Sequence, residues 1–187
     1  MPRLYLIRHG KPAATWGDAD EDPGLDETGR GQAEAARDTL LGLADPPKLV
    51  VSSPLRRCRE TAEPLARALG LNPEIDPLVG EIPTPAALAH EARSAWLQQA
   101  FQGKWRDIDG DLDYEAWRAG VVRSLVSRGD TAVFSHFVAI NAVVTLLSGM
   151  AEVLAFRPDH ASITVLETDG DALRLIERGR EAVTGVL

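Results

Sequence analysis

The chain has 187 residues, 44% of them hydrophobic and 26% charged, with a formal net charge of −8. That length supports one domain with a full hydrophobic core, expected over residues 1–187. The acidic balance, without any block of Lys or Arg, speaks against nucleic acid as a partner. No apolar run approaches the roughly 20 residues of a membrane span, so no membrane partner is expected. The single cysteine, Cys58, excludes an internal disulfide and a Cys-based zinc site.

The first predicted element is Leu4-Tyr5-Leu6-Ile7, a short buried strand that ends on Arg8, His9 and Gly10. No basic segment and apolar run precede it, so no signal peptide is expected and the location is read as cytoplasmic. A cation and an imidazole at the tip of a buried strand are expensive to place unless they serve a ligand. In open α/β sheets, ligands bind at the carboxyl ends of the strands. Residues 11–24 carry two prolines, two glycines and the acidic run ending at Asp22, and are read as a loop bordering that strand end. Trp16 within it is either a pocket wall or a packing residue.

A helix is expected from Thr28, as N-cap, to about Leu43, with Ala33, Ala36, Leu40 and Leu43 at helical spacing. Lys48–Ser52 is the second strand, and the strand–helix–strand order requires a crossover and hence parallel pairing. Ser53 as N-cap and Pro54 at the first helical position predict the next helix, which stops at Gly70. Arg56 and Arg57 fall in its first turn, where the helix dipole disfavours cations unless an anion is also present. Residues 71–85 read as a proline-rich loop carrying Asp76 and Glu81. Taken alone Glu81 reads as a surface carboxylate; the alternative is a general acid whose pKa its apolar loop raises.

Residues 85–128 read as helical, with Ala86–Gln99 and Tyr114–Val126 as the candidate helices. We take about 82–128 as a helical insertion over the active edge of the sheet. Its tryptophans are assigned to packing, and His90 to a polar helix face without a role. Thr131–Ser135 is a third buried strand, ending on a second imidazole, His136, just before a helix to Gly149 in which Asn141 is placed to orient a neighbour. His160 lies in a turn before the strand Ser162–Leu166 and is read as structural, with a place near the pocket as the alternative. Asp169-Gly170 favours a tight turn into Ala172–Ile176, giving a terminal hairpin. The fold class expected is therefore α/β: a three-layer α/β/α sandwich whose mostly parallel sheet carries a C-terminal antiparallel hairpin.

Arg8, His9, Arg57 and His136 all follow the ends of predicted buried strands, and parallel strands gather such ends at one edge. Guanidinium forks match tetrahedral oxyanions, and a pair neutralises a dianion. A neutral imidazole is a good nucleophile near pH 7, while a second, protonated one can hold developing charge. A zinc site built from His9, His136 and Glu81 is a competing reading, which survival of activity in chelator would eliminate.

With these pieces the sequence resembles the histidine phosphatase superfamily, the phosphoglycerate mutase-like enzymes. The matching stretches are Leu6-Ile7-Arg8-His9-Gly10, Leu25 through Gln32, Ser52-Ser53-Pro54-Leu55-Arg56-Arg57-Cys58-Arg59-Glu60-Thr61-Ala62, and Ser135-His136. The resemblance implies that His9 attacks phosphorus in line while Arg8, Arg57 and His136 bind the equatorial oxygens. Glu81 matches the general acid, with Asp76 as the fallback. No metal and no cofactor are implied, because arginines and histidines supply the charge. The substrate implied is a small phosphomonoester, with no oligomeric state attached. Phe137 departs from the glycine that many members carry after the second histidine. No adjacent arginine pair in residues 81–120 offers a grip for a substrate carboxylate, which favours a phosphatase. A mutase-type phosphoryl transferase and a non-catalytic phosphate-binding module are the alternatives.

Overall fold

A computed structural model describes residues 1–14 and 20–183 of the chain; Trp16 lies outside them. Five α-helices and six strands occur among these residues. They are β1 (Arg3–Arg8), α1 (Glu27–Leu41), β2 (Leu49–Ser52), α2 (Arg56–Leu69), β3 (Glu74–Ile75), α3 (Arg93–Ala100), α4 (Tyr114–Leu125), β4 (Thr131–Ser135), α5 (Phe137–Leu147), β5 (Ile163–Thr168) and β6 (Leu173–Glu177). The strands form one sheet in the order β3-β2-β4-β1-β5-β6. β1, β2, β3 and β4 run parallel, and the β5–β6 hairpin joins antiparallel to β1. The expected α/β sandwich, mostly parallel with a terminal hairpin, is the observed fold.

Three layers follow from the two-residue period of the strands. Leu4, Leu6, Val51 and Val133 face α4 and α5, where they pack with Val121, Leu125, Ile140 and Val143. The alternate residues Tyr5, Ile7, Val50 and Phe134 face α1 and α2, against Leu40, Cys58, Ala62 and Leu65. Because both faces are covered, these strands read as continuous apolar runs. A third cluster, containing Ile82, Leu97, Phe101, Trp105, Tyr114, Phe137 and Val138, packs residues of the 82–128 stretch on the start of α5. Trp105 is fully buried there, beside Trp117.

Several boundaries differ from the sequence reading. Asp26, not Thr28, caps α1, its carboxylate accepting from the Gly29 amide at 2.7 Å. The helix then closes at Gly42 rather than Leu43. Ser53 is not the N-cap of α2: Leu55 occupies that place and the helix begins at Arg56, while Ser53 Oγ accepts from the Leu55 amide at 3.3 Å and lies 2.8 Å from His136 Nε2. The proline-rich loop contains the two-residue strand β3, paired with β2, and a 3₁₀ turn at Pro77–Val79. The helix expected from Ala86 starts only at Arg93, after a 3₁₀ turn at His90–Ala92. The Ala86 amide is bonded to the Asp111 carboxylate at 2.5 Å, and Ala89 is extended, so the earlier residues do not start a helix.

Register decides where the functional groups go. Arg8 pairs with Ser135 and Ser52 with Phe134, so β1, β2 and β4 finish level at one edge. The residues that follow them, His9, Ser53 and His136, meet there.

Candidate active site

His9 leaves β1 with its amide bonded to the Ser135 carbonyl at 3.0 Å, which extends the ladder one residue past the strand. The Gly10 amide is held by Thr61 Oγ1 at 2.9 Å, fixing the turn to α2. A Cβ on Gly10 would lie 2.6 Å from the Gly29 carbonyl oxygen, so only glycine fits this crossing. Nδ1 of His9 lies 2.8 Å from the Gly10 carbonyl. A carbonyl can only accept, so Nδ1 carries the proton and Nε2 is left as the basic nitrogen. Nε2 accepts from Arg57 Nε at 3.2 Å. Burial, together with the charge of Arg57 and the neighbouring His136 and Arg8, pushes the His9 pKa well below its usual value. The ring is therefore neutral at physiological pH.

His136 is the N-cap residue of α5, fully buried, with its ring 5.3 Å from that of His9. Its Nε2 accepts from Ser53 Oγ at 2.8 Å, and its Nδ1 lies 3.3 Å from Glu81 Oε2 and 3.3 Å from Arg57 Nη2. The pKa of His136 is lowered by burial, which outweighs the upward pull of Glu81. This corrects the expectation of a protonated second imidazole: its burial beside Arg57 and Arg8 favours the neutral ring. The neutral tautomer that suits these partners has its proton on Nδ1.

Arg57, in the first turn of α2, reaches His9 through Nε and Glu81 through Nη2 at 3.2 Å. Arg56 on the same turn points outward, where it pairs with Glu60, and Arg59 is exposed. Arg8 is buried, donates to the Pro158 carbonyl at 2.9 Å and lies 5.1 Å above the Phe137 ring. Its Nε is buried without a hydrogen-bond partner. Burial lowers its pKa to about 10, which leaves it charged.

Glu81 reverses its sequence-based expectation. Burial alone would raise its pKa, but His136 and Arg57 outweigh burial and hold it at about 2. It is ionised, not protonated. Asp76, the fallback, is excluded from the cavity lining, being tied to Arg128 at 2.8 Å and to the Leu78 amide at 2.9 Å.

A cavity of about 300 Å³ opens over these groups, lined by Arg8, His9, Arg57 and Glu81. Leu97, Phe101, Phe137, Val138 and Ile82 form an apolar wall, and Asp20, Glu21, His90 and Arg93 lie toward other parts of the lining. His90 was assigned no role from sequence, yet it lines this cavity. His160, read as structural, lines it too. The tryptophans Trp96, Trp105 and Trp117 stay in packing contacts, as expected. Asn141 does orient its surroundings: Oδ1 accepts from the amides of Ala155 and Phe156, and Nδ2 donates to the Phe137 carbonyl. Ser53 is the residue the sequence misassigned, since a cap signal at a helix start masked its bond to His136. No cluster of His, Cys, Asp and Glu suited to a metal occurs among the described residues.

Two guanidinium groups against one carboxylate, with two neutral imidazoles, make a compact anion site. The N-terminus of the 11-residue α5 adds partial positive charge beside His136. This set of charges, directed N–H groups and a basic ring nitrogen is chemically suited to a dianion.

Comparison with known proteins bears on this site. A family model described as histidine phosphatase superfamily (branch 1) matches residues 4–180. None of the curated proteins matches the chain. A mycobacterial glucosyl-3-phosphoglycerate phosphatase, solved with inorganic phosphate, is similar at 26% identity. The match covers 97% of this chain and 98% of that one, with a TM-score of 0.70. A phosphoserine phosphatase from Entamoeba histolytica, solved with 3-phosphoglyceric acid, shares the fold at 19% identity. Here 98% of each chain is covered and the TM-score is 0.75. No helix among the described residues is long and apolar enough to cross a membrane.

Proposed function

Because this chain belongs to the histidine phosphatase superfamily, we propose that it hydrolyses a small phosphomonoester through a phosphohistidine on His9. The observation that carries the reading is the hydrogen bond from His9 Nδ1 to the Gly10 carbonyl. It commits the proton to the far nitrogen and leaves Nε2 basic, beside Arg57 and the ring of His136. The 26% identity to a glucosyl-3-phosphoglycerate phosphatase supports hydrolysis as the outcome.

In the first step, Nε2 of His9 attacks phosphorus as the ester P–O bond breaks. Arg8, Arg57 and His136 stabilise charge on the equatorial oxygens. Glu81, ionised in the free protein, takes up a proton from solvent as the substrate binds and passes it to the departing alkoxide. In the second step, Glu81 takes a proton from water, the water oxygen attacks phosphorus, and His9 leaves as the free base. Inorganic phosphate and the alcohol are the products.

Glu81 can serve as an acid although its pKa is about 2 without substrate. Its Oε2 stands 3.3 Å from His136 Nδ1 and 3.2 Å from Arg57 Nη2. A phosphoryl oxygen drawn to the same two donors competes with the carboxylate for them. A carboxylate that loses both partners, with a dianion beside it, has its pKa raised on each count. The substrate thus creates the acid that assists its own cleavage.

The test is a panel of phosphoesters with wild-type protein and Glu81→Gln. Loss of a general acid lowers kcat by about 10²–10⁴-fold for alkyl esters, and much less for p-nitrophenyl phosphate, whose leaving group needs no proton. Equal losses for both ester types would remove Glu81 from that role. Isomerisation primed by a bisphosphate would replace hydrolysis with the mutase reading, and activity abolished by chelator would replace it with a metal site.

A further inference from the structure

His160 is the one buried imidazole at the cavity for which the mechanism above has no use. It is 4% exposed, and its ring lies 5.8 Å from that of His9 at an interplanar angle of 49°. His136 flanks His9 at 5.3 Å and 61°. Two further imidazoles thus stand at nearly equal distance from the ring of His9. The charged groups around His160 are Arg8, Asp159, Asp26 and Lys11, and Arg8 also feels the charges of Glu81 and Arg57.

The backbone holds this ring in place with some strain. Arg8 Nη1 donates to the Pro158 carbonyl, and the Ala161 amide is shared between the carbonyls of Arg8 and His9 at 3.1 and 3.3 Å. Ala161 takes φ of +54°, a conformation that costs a non-glycine residue energy and persists only where its surroundings enforce it. Only the backbone amide of His160 is bonded, to Asp159 Oδ1 at 2.8 Å. Among the described residues its ring nitrogens meet no hydrogen-bond partner, and the side chain lines the cavity. A buried polar ring held against a nucleophile and left without a protein partner is arranged for a ligand.

We propose that His160 binds substrate, donating a ring N–H to an oxygen of the phosphoryl group held beside His9. The proposal rests on the phosphate-site reading above and adds a contact to it. Burial, and then the charge of Arg8, hold the His160 pKa at about 4, so the ring donates as a neutral group. It strengthens the grip on the oxyanion without adding a third charge next to Arg8 and Arg57.

Titration calorimetry of inorganic phosphate against wild type, His160→Leu and His160→Asn tests this contact. Loss of a hydrogen bond to a charged group corresponds to about 10–100-fold weaker phosphate binding in His160→Leu. His160→Asn, which keeps a short N–H donor, should recover to within about fivefold of wild type. A leucine variant that melts like wild type and binds phosphate as tightly overturns the proposal, as do equal losses in both variants. Should His160→Leu not fold, the His160 ring signals of the wild-type protein should shift on saturation with phosphate, and unmoved signals overturn it. None of these measurements requires turnover. A protein that binds phosphate through His160 but hydrolyses no ester refutes the phosphatase reading alone.

Discussion

The ends of β1 and β4 are adjacent and parallel, and each delivers one imidazole, yet the two rings are held differently. His9 is fixed at one nitrogen by a carbonyl one residue away and presents the other to Arg57. His136 is engaged at both, by Ser53 on one side and by Glu81 and Arg57 on the other. Strand position alone does not separate a nucleophile from a phosphate ligand. The partner of the far nitrogen does. A carbonyl there forces a proton onto Nδ1 and makes Nε2 a base, whereas at His136 the Glu81 carboxylate beside Nδ1 draws the proton to that nitrogen and leaves Nε2 to accept from Ser53.

This contrast can be broken by substitution. The largest effect is expected from His9→Ala, which removes the proposed nucleophile: kcat should fall by at least about 10³-fold. Rapid acid-free quenching should find phosphorus on His9 in the wild type, and on no other side chain. His136→Ala is expected to lower kcat by about 10²–10³-fold, the usual consequence of losing one oxyanion donor, while the protein still acquires phosphorus on His9. If His136→Ala abolishes labelling and His9→Ala does not, the two roles are exchanged.

The pH dependence sharpens the same distinction. A lowered pKa means that the attacking, neutral form of His9 survives into more acidic solution. An imidazole titrating at about 6.5 would lose roughly tenfold of kcat/KM between pH 7.5 and 5.5. Here that loss should not occur once the ionisation of the ester, near about 6, is taken into account. The linkage has the opposite sign for stability. In unfolded chains His9, His136 and His160 bind protons at their ordinary pKa, while in the fold all three resist doing so. Stability should therefore decline as pH falls below about 6.5, and a melting temperature that rises from pH 7 to 5 would contradict it. The smallest effect is expected from Ser53→Ala. Losing one neutral hydrogen bond, worth about 1 kcal/mol, should cost about fivefold in phosphate affinity, with His9 chemistry intact.

Much of this arrangement is legible in the chain because period-two burial and strand ends are local signals. Leu4–Ile7 and Ala132–Phe134 are apolar without interruption because both sheet faces are covered, and the polar residues that follow them border the candidate site. Arg57 is also legible, as a cation in a helical first turn where a cation is otherwise unfavourable. The charge state of Glu81 is not, because it depends on Arg57 and His136, which are 24 and 55 positions away. Ser53 is only half legible for a related reason: a serine before proline satisfies a local helix-start rule, and its oxygen does accept the Leu55 amide, but its contact with His136, 83 positions away, has no local signal. His160 looked like a turn residue because nothing in its neighbours reveals that Ala161 takes a left-handed conformation and hydrogen-bonds to the backbone of Arg8 and His9.

The register of β1 has a consequence for how the protein is made. Leu4 finds its parallel neighbour at Thr131 and its antiparallel one at Leu166. At about 5–20 residues per second, a ribosome needs roughly 6–25 seconds to supply the first of these partners. Throughout that interval the apolar stretch Leu4–Ile7 has no sheet partner to join. Biogenesis, more than the finished molecule, is where this topology is vulnerable, and holdase chaperones that shield this stretch until β4 emerges should raise the yield of correctly folded product.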